Sequence, residues 1–377
     1  MNIVLVSNGH GEDRLAAALG QALLVQAERL NLGIELQVAP LSGEGLAYAE
    51  FLPQAKRIKL PQKHFPSEGF LRTASAWWND LQTGLLPHVF SQYRALKKNP
   101  PADIVIAVGD FFALAMSRAA SAQKRVFVPT AKSDRFQPHL GIELFFIERW
   151  VNLIFPRDAE TAASMQHTGV PVWYVGNLMM DCLDGPGKIN GLKAAGYGVP
   201  AQARYVIGIL PGSHREAYGN LKLVKETIDD LLTWQVPMHF VMAVPKTLDL
   251  KKVKTIMGTQ FPLTLVQGRF RAVIDASGVV LGFAGTANEQ AVGLGKPVVT
   301  MPGKGTQTSL TRIFEQSQLL LGGVHVIEYG PCEAAEKIKY LLTHPTELVY
   351  HAELAEKAMG KPGAAARMAE KILLDLK

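Results

Sequence analysis

Short apolar runs alternate with helical patterns along almost all of the 377 residues, which restricts the chain to parallel α/β architectures. In the first half, strands are expected at 2–7, 34–39, 104–108, 125–128, 152–154 and 172–175. Helices are expected there at 12–30, 70–97, 111–121 and 157–167. In the second half, strands are expected at 205–210, 239–244, 263–267, 278–282 and 297–301, with helices between them and a helical tail from 345. A stretch at 184–198, rich in glycine and poor in apolar residues, reads as a linker. The expected organisation is a first domain over 1–178, a second over 179–354, and a helical segment over 355–377 crossing back to the first. Both domains read as doubly wound, facing each other across a cleft. In such sheets ligands bind beyond the carboxyl ends of the strands, so the residues that follow each strand are where function is sought.

Composition narrows the partners. Hydrophobic residues make up 48% of the chain and charged residues 19%, enough apolar material for two cores. A formal net charge of +6 favours anionic partners without naming one. The cations are dispersed and no nucleic-acid-binding module is present, so nucleic acid is not an expected partner. Cys182 and Cys332 stand far apart, with no His or Cys at metal-ligand spacing. Neither a disulfide framework nor a zinc site follows, and a reducing compartment is the expectation. The run 1–7 has no basic region and is short for a signal peptide, and no apolar run reaches about eighteen residues. A cytoplasmic protein is expected, with peripheral attachment to a membrane face left open.

Two strand-to-helix turns in the second half carry the clearest chemistry. After the strand at 205–210 comes Pro211-Gly212-Ser213-His214-Arg215. Gly212 permits a tight turn, Ser213 offers a hydroxyl and a helix N-cap, and Arg215 offers a forked cation for phosphate. An ordinary β–α turn with a surface Arg explains the same residues. After the strand at 278–282 come Gly285, Thr286, Ala287 and, one turn on, Glu289. Helix starts of this kind leave backbone N–H groups and a positive dipole end at one point, which suits phosphate. A carboxylate at Glu289 suits the two hydroxyls of a ribose; the bland alternative is a capping box from Thr286 to Glu289. Two such turns in one half fit a diphosphate with a group at each end, the outline of a nucleotide sugar. Gln307, in the polar loop after the strand at 297–301, adds a hydrogen-bonding side chain of the kind sugars use.

In the first half, Asn8-Gly9-His10-Gly11-Glu12 follows the first strand directly. This glycine-rich loop suits an acceptor or the donor diphosphate, and its spacing is not the dinucleotide G-x-G-x-x-G, so no nicotinamide or flavin cofactor is expected. Asp110 ends the strand at 104–108, where a carboxylate either removes a proton from an attacking hydroxyl or caps the next helix. His10 is the second candidate base, and residue types alone do not choose among Asp110, His10 and Glu12. Between 70 and 85, Trp77 and Trp78 share an apolar helical face, with Lys56, Arg57, Lys59 and Lys63 close before it. That pattern fits either a core helix or a helix lying in lipid headgroups.

Taken together, these residues resemble the lipid-A-disaccharide synthase group of glycosyltransferases, within the GT-B superfamily. The family's Leu-Pro-Gly-Ser-Arg turn is similar to Leu210-Pro211-Gly212-Ser213-His214-Arg215, with His214 interposed. Its Gly-Thr-x-x-x-Glu helix start is similar to Gly285-Thr286, but with Glu289 three residues after the Thr, and Gly295-Lys296-Pro297 follows as in that family. Its Asp-Phe element, which carries the general base, is similar to Asp110-Phe111. Its Gly-His-Pro-Leu-x-Asp stands here as Gly176-Asn177-Leu178-Met179-Met180-Asp181, and its Pro-Asn-x-x-Ala as Gly305-Thr306-Gln307-Thr308, both departures. His10 between glycines is more similar to the first loop of the peptidoglycan glycosyltransferase that acts on a lipid carrier.

The resemblance implies a GT-B-like fold of two Rossmann-like domains. It also implies an inverting transferase that moves a sugar from a nucleotide donor, UDP by expectation, to a hydroxyl of a lipid-linked acceptor. Gly212, Ser213, His214, Arg215, Gly285, Thr286, Ala287, Glu289 and Gln307 would hold the donor, with Asp110 or His10 as base. Asn8, Gly9, Gly11 and Glu12 would meet the acceptor, and Trp77 and Trp78 the membrane. No metal and no cofactor is required, since helix dipoles can supply the positive charge. A UDP-sugar epimerase of the same fold, or a non-catalytic relative that binds a nucleotide sugar or lipid, are the alternatives.

Overall fold

The computed structural model describes residues 1–63, 83–183 and 198–375. The paired tryptophans Trp77 and Trp78 lie outside the described residues, as does the 184–197 part of the expected linker. The chain forms two compact units, one of Met1–Cys182 with Lys361–Lys377 and one of Leu183–Gly360.

Unit 1 runs β1 (Asn2–Ser7), α1 (His10–Arg29), β2 (Glu35–Pro40), α2 (Leu46–Phe51), β3 (Lys56–Arg57) and α3 (Leu85–Lys97). It continues with β4 (Ala102–Gly109), α4 (Phe111–Ser117), β5 (Ala122–Pro129), α5 (Gly141–Trp150), β6 (Leu153–Ile154) and α6 (Ala159–Met165). Unit 2 runs β7 (Tyr205–Leu210), α7 (Ala217–Leu232), β8 (Met238–Val244), α8 (Leu250–Met257), β9 (Leu263–Gln267) and α9 (Phe270–Ala276). It continues with β10 (Val279–Gly282), α10 (Thr286–Gly293), β11 (Val298–Thr300), α11 (Leu310–Leu319), β12 (Val324–Val326), α12 (Pro331–Thr343) and α13 (Pro345–Met359). The last helix, α14 (Ala364–Asp375), belongs to unit 1.

Each unit holds one six-stranded parallel sheet, and the two have the same winding. The order is β3-β2-β1-β4-β5-β6 in unit 1 and, from its other edge, β9-β8-β7-β10-β11-β12 in unit 2. In both, the chain lays three strands outward in one direction and then returns to the opposite side of the first. The strand order therefore reverses between β1 and β4, and again between β7 and β10. Crevices for ligands open at such reversal points.

Parallel strands covered on both faces read as unbroken apolar runs rather than alternating ones. Ile3–Val6 and Val105–Val108 are accordingly fully buried. On one face of the unit 1 sheet, Leu15, Leu19 and Leu23 of α1 pack with Met368, Ala369 and Ile372 of α14 against Ile3, Leu5 and Ile106. The other face buries Val4, Val6 and Val105 with Leu96 and Met116. In unit 2, Leu221, Val224 and Ile228 of α7 join Ile338 and Leu341 of α12 around Ile207, Ile209 and Leu281.

The α14 helix is tied to its unit by Asp181, whose two carboxylate oxygens accept from Gly363 N at 2.5 Å and Ala365 N at 2.7 Å. Arg367 adds a bond from Nε to Val175 O at 2.8 Å.

Three expectations change. Residues 172–175 form no strand: Val172 makes a single parallel bridge to Ile154, and the backbone then leaves the short β6 edge. The helix expected over 111–121 ends at Ser117. Arg118, Ala119 and Ala120 donate to carbonyls three residues back, a tightening that terminates the α-helical ladder. The helix expected over 70–97 is described from Leu85 onward.

Candidate functional site

In unit 2 the glycine turns after β7 and β10 are packed directly on each other. The strands are hydrogen-bonded neighbours, and Phe283 N donates to Leu210 O at 2.7 Å just beyond the ladder. Gly212 takes φ +97°, and a Cβ there would lie 2.8 Å from Phe283 O. Only glycine satisfies both the left-handed backbone and that approach. Beyond it Ser213, His214 and Arg215 are exposed.

Ser213 does not cap the following helix, which begins at Ala217. Ala217, Tyr218 and Gly219 donate to the carbonyls of His214, Arg215 and Glu216, so three-residue turns separate Ser213 from the α-helical ladder. The Ser213 carbonyl instead accepts from Thr247 Oγ1 at 2.7 Å, bringing the loop after β8 to the same strand ends.

At the β10 turn Gly285 occupies the N-cap position and Thr286 opens α10. Asn288 and Glu289 donate their N–H groups to Gly285 O at 3.0 and 3.3 Å. Thr286 and Ala287 precede them, at positions where a helix lacks internal partners for its N–H groups. The Thr286–Glu289 capping box does not form, because the cap falls one residue earlier on a glycine without a side chain. Gly285 O also accepts from Gln316 Nε2 at 2.9 Å, and Gln316 Oε1 accepts from Asn288 Nδ2 at 3.1 Å, fixing the turn from α11. Glu289 is buried, at 5% exposure, one turn into α10.

The polar loop after β11 closes on both turns. A Cβ on Gly285 would lie 3.0 Å from Gln307 Oε1, which accepts from Arg312 Nε at 3.4 Å. The Lys304 side chain lies over Gly219 of α7, and Gly305 lies against Glu216. Asn220, buried at 2% exposure, clamps this loop by accepting from Lys304 N at 2.6 Å and donating to Lys304 O at 3.2 Å. Gly212, Ser213, Gly285, Thr286 and Gln307 are thus gathered at the reversal point of the unit 2 sheet. Asn220, Gln316 and Thr247 are the residues that gather them.

In unit 1 the reversal point lies between Asn8, beyond β1, and Asp110, beyond β4. Asn8 Nδ2 donates to both carboxylate oxygens of Asp110, at 3.3 and 3.2 Å. Asp110 Oδ1 also accepts from Ala113 N at 3.0 Å, so Asp110 is the N-cap of α4. Both sequence readings of Asp110, strand-end carboxylate and cap, therefore describe the same side chain.

Helix α1 begins at His10, not at 12, with Gly9 as its cap at φ +120°. His10 is therefore the first helical residue, exposed, and not a loop residue between glycines. Gly11 is exposed beside it. Glu12 turns back toward the strand end: its Oε2 lies 2.9 Å from the Cβ position of Gly9, and its Cγ 3.4 Å from that of Gly109. Burial raises the Glu12 carboxyl above its ordinary value, and the charge on Asp110 raises it further.

Beneath this surface lies a polar group that nothing in the residue pattern singles out. Asp13, at 1% exposure, accepts from Ser7 Oγ at 2.6 Å, and Ser7 Oγ shares a second 2.6 Å bond with Tyr48 OH. Burial pushes the Asp13 carboxyl up to about 7; the Ser7 bond pulls it down and the Glu12 charge adds to the rise. Adjacent acidic letters in the first turn of a helix read as dipole complements, and nothing local marks the second of them as buried.

No family model matches the chain. A lipid-A-disaccharide synthase of Alcanivorax borkumensis is 29% identical over 156 residues, 41% of this chain and 40% of that protein. The corresponding synthase of Pseudomonas syringae is 29% identical over 136 residues, 36% and 35% of the two chains. The matches thus span about two fifths or less of these curated relatives.

Solved structures align over the whole chain at low identity. The glycotransferase of kitacinnamycin gives a TM-score of 0.64 at 14% identity, covering 100% of this chain and 99% of that one. A Staphylococcus aureus MnaA–UDP structure gives 0.63 at 16%, covering 100% and 97%. A UDP-N-acetylglucosamine 2-epimerase gives 0.61 at 14%, covering 100% and 96%. The chain therefore has a GT-B-like fold along its length, and over the matched segments it resembles the lipid-A-disaccharide synthases.

Proposed function

We propose that the protein is an inverting glycosyltransferase that moves a hexosyl or N-acetylhexosaminyl group from a UDP-sugar to a hydroxyl of a lipid-linked acceptor. The observation that carries this reading is the meeting of two glycine turns, after β7 and β10, at the reversal point of the unit 2 sheet. Backbone N–H groups at Gly212–Ser213 and at Gly285–Ala287 would hold the diphosphate, with the dipole of α10 behind it. Arg215 would take the charge that grows on the departing phosphate, and His214 would border it. Glu289 would accept the ribose hydroxyls and Gln307 would bond the sugar.

On the unit 1 side, Asn8, Gly9, Gly11 and Glu12 would meet the acceptor, with Asp110 and His10 as candidate bases. The acceptor oxygen attacks the anomeric carbon as the bond to the diphosphate breaks, the electron pair leaving on UDP and the proton passing to the base. No cofactor takes part in this scheme. The lipid acceptor is supported by the resemblance to the synthases and by the basic Lys56, Arg57, Lys59 and Lys63 ahead of the Trp77–Trp78 segment. A peripheral position on a cytoplasmic membrane face goes with it. Among the described residues no helix is long and apolar enough to cross a membrane.

The likeness in fold to a UDP-N-acetylglucosamine 2-epimerase favours a second reading, a UDP-sugar epimerase. One experiment separates the two: incubate the protein with radiolabelled UDP-sugars and total membrane lipids, then extract the lipids and analyse the remaining sugar nucleotide. Label in the lipid fraction is the expected result. A new sugar-nucleotide epimer with unlabelled lipid would establish the epimerase, and UDP binding with neither product would leave a non-catalytic nucleotide-sugar-binding relative.

A further inference from the structure

Within the proposed transferase, we propose that Glu12 takes the proton from the acceptor hydroxyl, and that Asp110 is the fixed charge beside it. This rests on the transferase reading for the reaction, though not for the state of the two carboxyl groups. The two carboxylates differ in what already holds them. Both oxygens of Asp110 are engaged, Oδ1 by Ala113 N and Asn8 Nδ2 and Oδ2 by Asn8 Nδ2. Donors arranged this way turn the lone pairs of Asp110 toward protein. That suits a helix cap better than a group whose oxygens must be open to the acceptor hydroxyl.

Glu12 is built the other way. Its side chain lies across Gly9 at φ +120° and Gly109 at φ +140°, with Cγ or Oε2 within 3.4 Å of where either Cβ would stand. Any residue but glycine at 9 or 109 would meet this side chain as well as strain the backbone. Among the described residues its carboxylate bonds its own backbone N–H. The charged and titratable groups around it are Asp110 from the end of β4, Asp13 from α1, Tyr48 from α2 and, beyond Asp13, Arg57. Burial and the Asp110 charge both favour the protonated form of Glu12, which makes its carboxylate a stronger base. A base with a value nearer the working pH is the more effective one.

In the step, the acceptor O–H bond breaks and its proton goes to the Glu12 carboxylate. The acceptor oxygen bonds the anomeric carbon, and the sugar–phosphate bond breaks with its electron pair on UDP. The Glu12 proton is then lost to water.

The test uses the full chain labelled with 13C at glutamate Cδ, the Glu12 signal being assigned by its loss in Glu12→Gln. In the wild type the Glu12 signal should titrate above the ordinary glutamate value of about 4.3, and in Asp110→Asn its midpoint should fall. Asparagine still caps helices well, so that variant keeps the start of α4. With a UDP-sugar and extracted lipid, Glu12→Gln should lose on the order of 10²-fold or more in transfer, with UDP affinity unchanged by calorimetry. Asp110→Asn should keep more activity, with the acid limb of its pH–rate profile moved to lower pH.

An ordinary Glu12 midpoint, or Glu12→Gln transferring at the wild-type rate while Asp110→Asn is inactive, overturns the assignment of the base. If the wild type transfers no sugar while Glu12 titrates high, the transferase reading fails and takes the proton-transfer role with it, leaving only the coupled carboxylates.

Discussion

Asp13 shows how one buried carboxyl sets a pH dependence for the fold around the proposed acceptor site. Its value near 7 in the folded chain lies above the roughly 3.9 of an unfolded aspartate. Between those pH values the folded state holds a proton that the unfolded state has released, so stability falls as pH rises from about 4 to about 7. Above 7 the loss is complete, and by linkage it is at most about 4 kcal/mol. Asp13→Asn keeps an acceptor for Ser7 Oγ and removes the titration. Urea unfolding followed across this window should show the wild-type midpoint declining with pH relative to the variant. Parallel curves would mean that Asp13 is ionised throughout. The network is also why Ser7 and Tyr48 belong with the strand end functionally: they hold α1, and with it Glu12, in register against β1.

The place of α14 depends on one side chain as well as on apolar packing. Asp181 accepts two backbone N–H groups at its start, and the apolar stripe Met368, Ala369, Ile372 then packs on α1. Asp181→Ala should lower the stability of unit 1 by about 1–3 kcal/mol and speed amide exchange along α14. Unchanged exchange in that helix would show that apolar packing alone holds it. The sequence resemblance marked the residues 176–181 as a departure in motif, yet the closing Asp is retained, and its job proves to be capping.

Long central strands were legible because burial on both faces writes an unbroken apolar run, as in Ile3–Val6. Of the four edge strands, β6 and β9 were legible and the other two were not: β3 is two charged residues, Lys56 and Arg57, and β12 is three residues long. The glycine turns were legible because left-handed backbone demands glycine at 9 and 212. What holds the turns together was not, since Asn220 meets Lys304 across 84 residues and neither residue type hints at the other. Helix starts went astray by a few residues at His10 and Ser213 for a local reason: a glycine cap or a series of three-residue turns leaves no side-chain signature.

The whole molecule repeats one winding twice, and each reversal point carries a different chemistry. Unit 1 offers carboxylates and a histidine at Glu12, Asp110 and His10; unit 2 offers glycine turns, helix N-termini and the cation Arg215. In the proposed transferase that asymmetry would give unit 2, where backbone N–H groups and positive charge gather, the anionic donor, and unit 1 the proton transfer. The most direct measurement is hydrogen exchange on the full chain with and without saturating UDP. Slowed exchange is expected in peptides covering 211–219, 284–290 and 301–309, with unchanged exchange at 8–13 and 109–113 and loss of the protection in Arg215→Ala. Protection confined to the unit 1 strand ends, or none in the unit 2 turns, would contradict a donor site in unit 2.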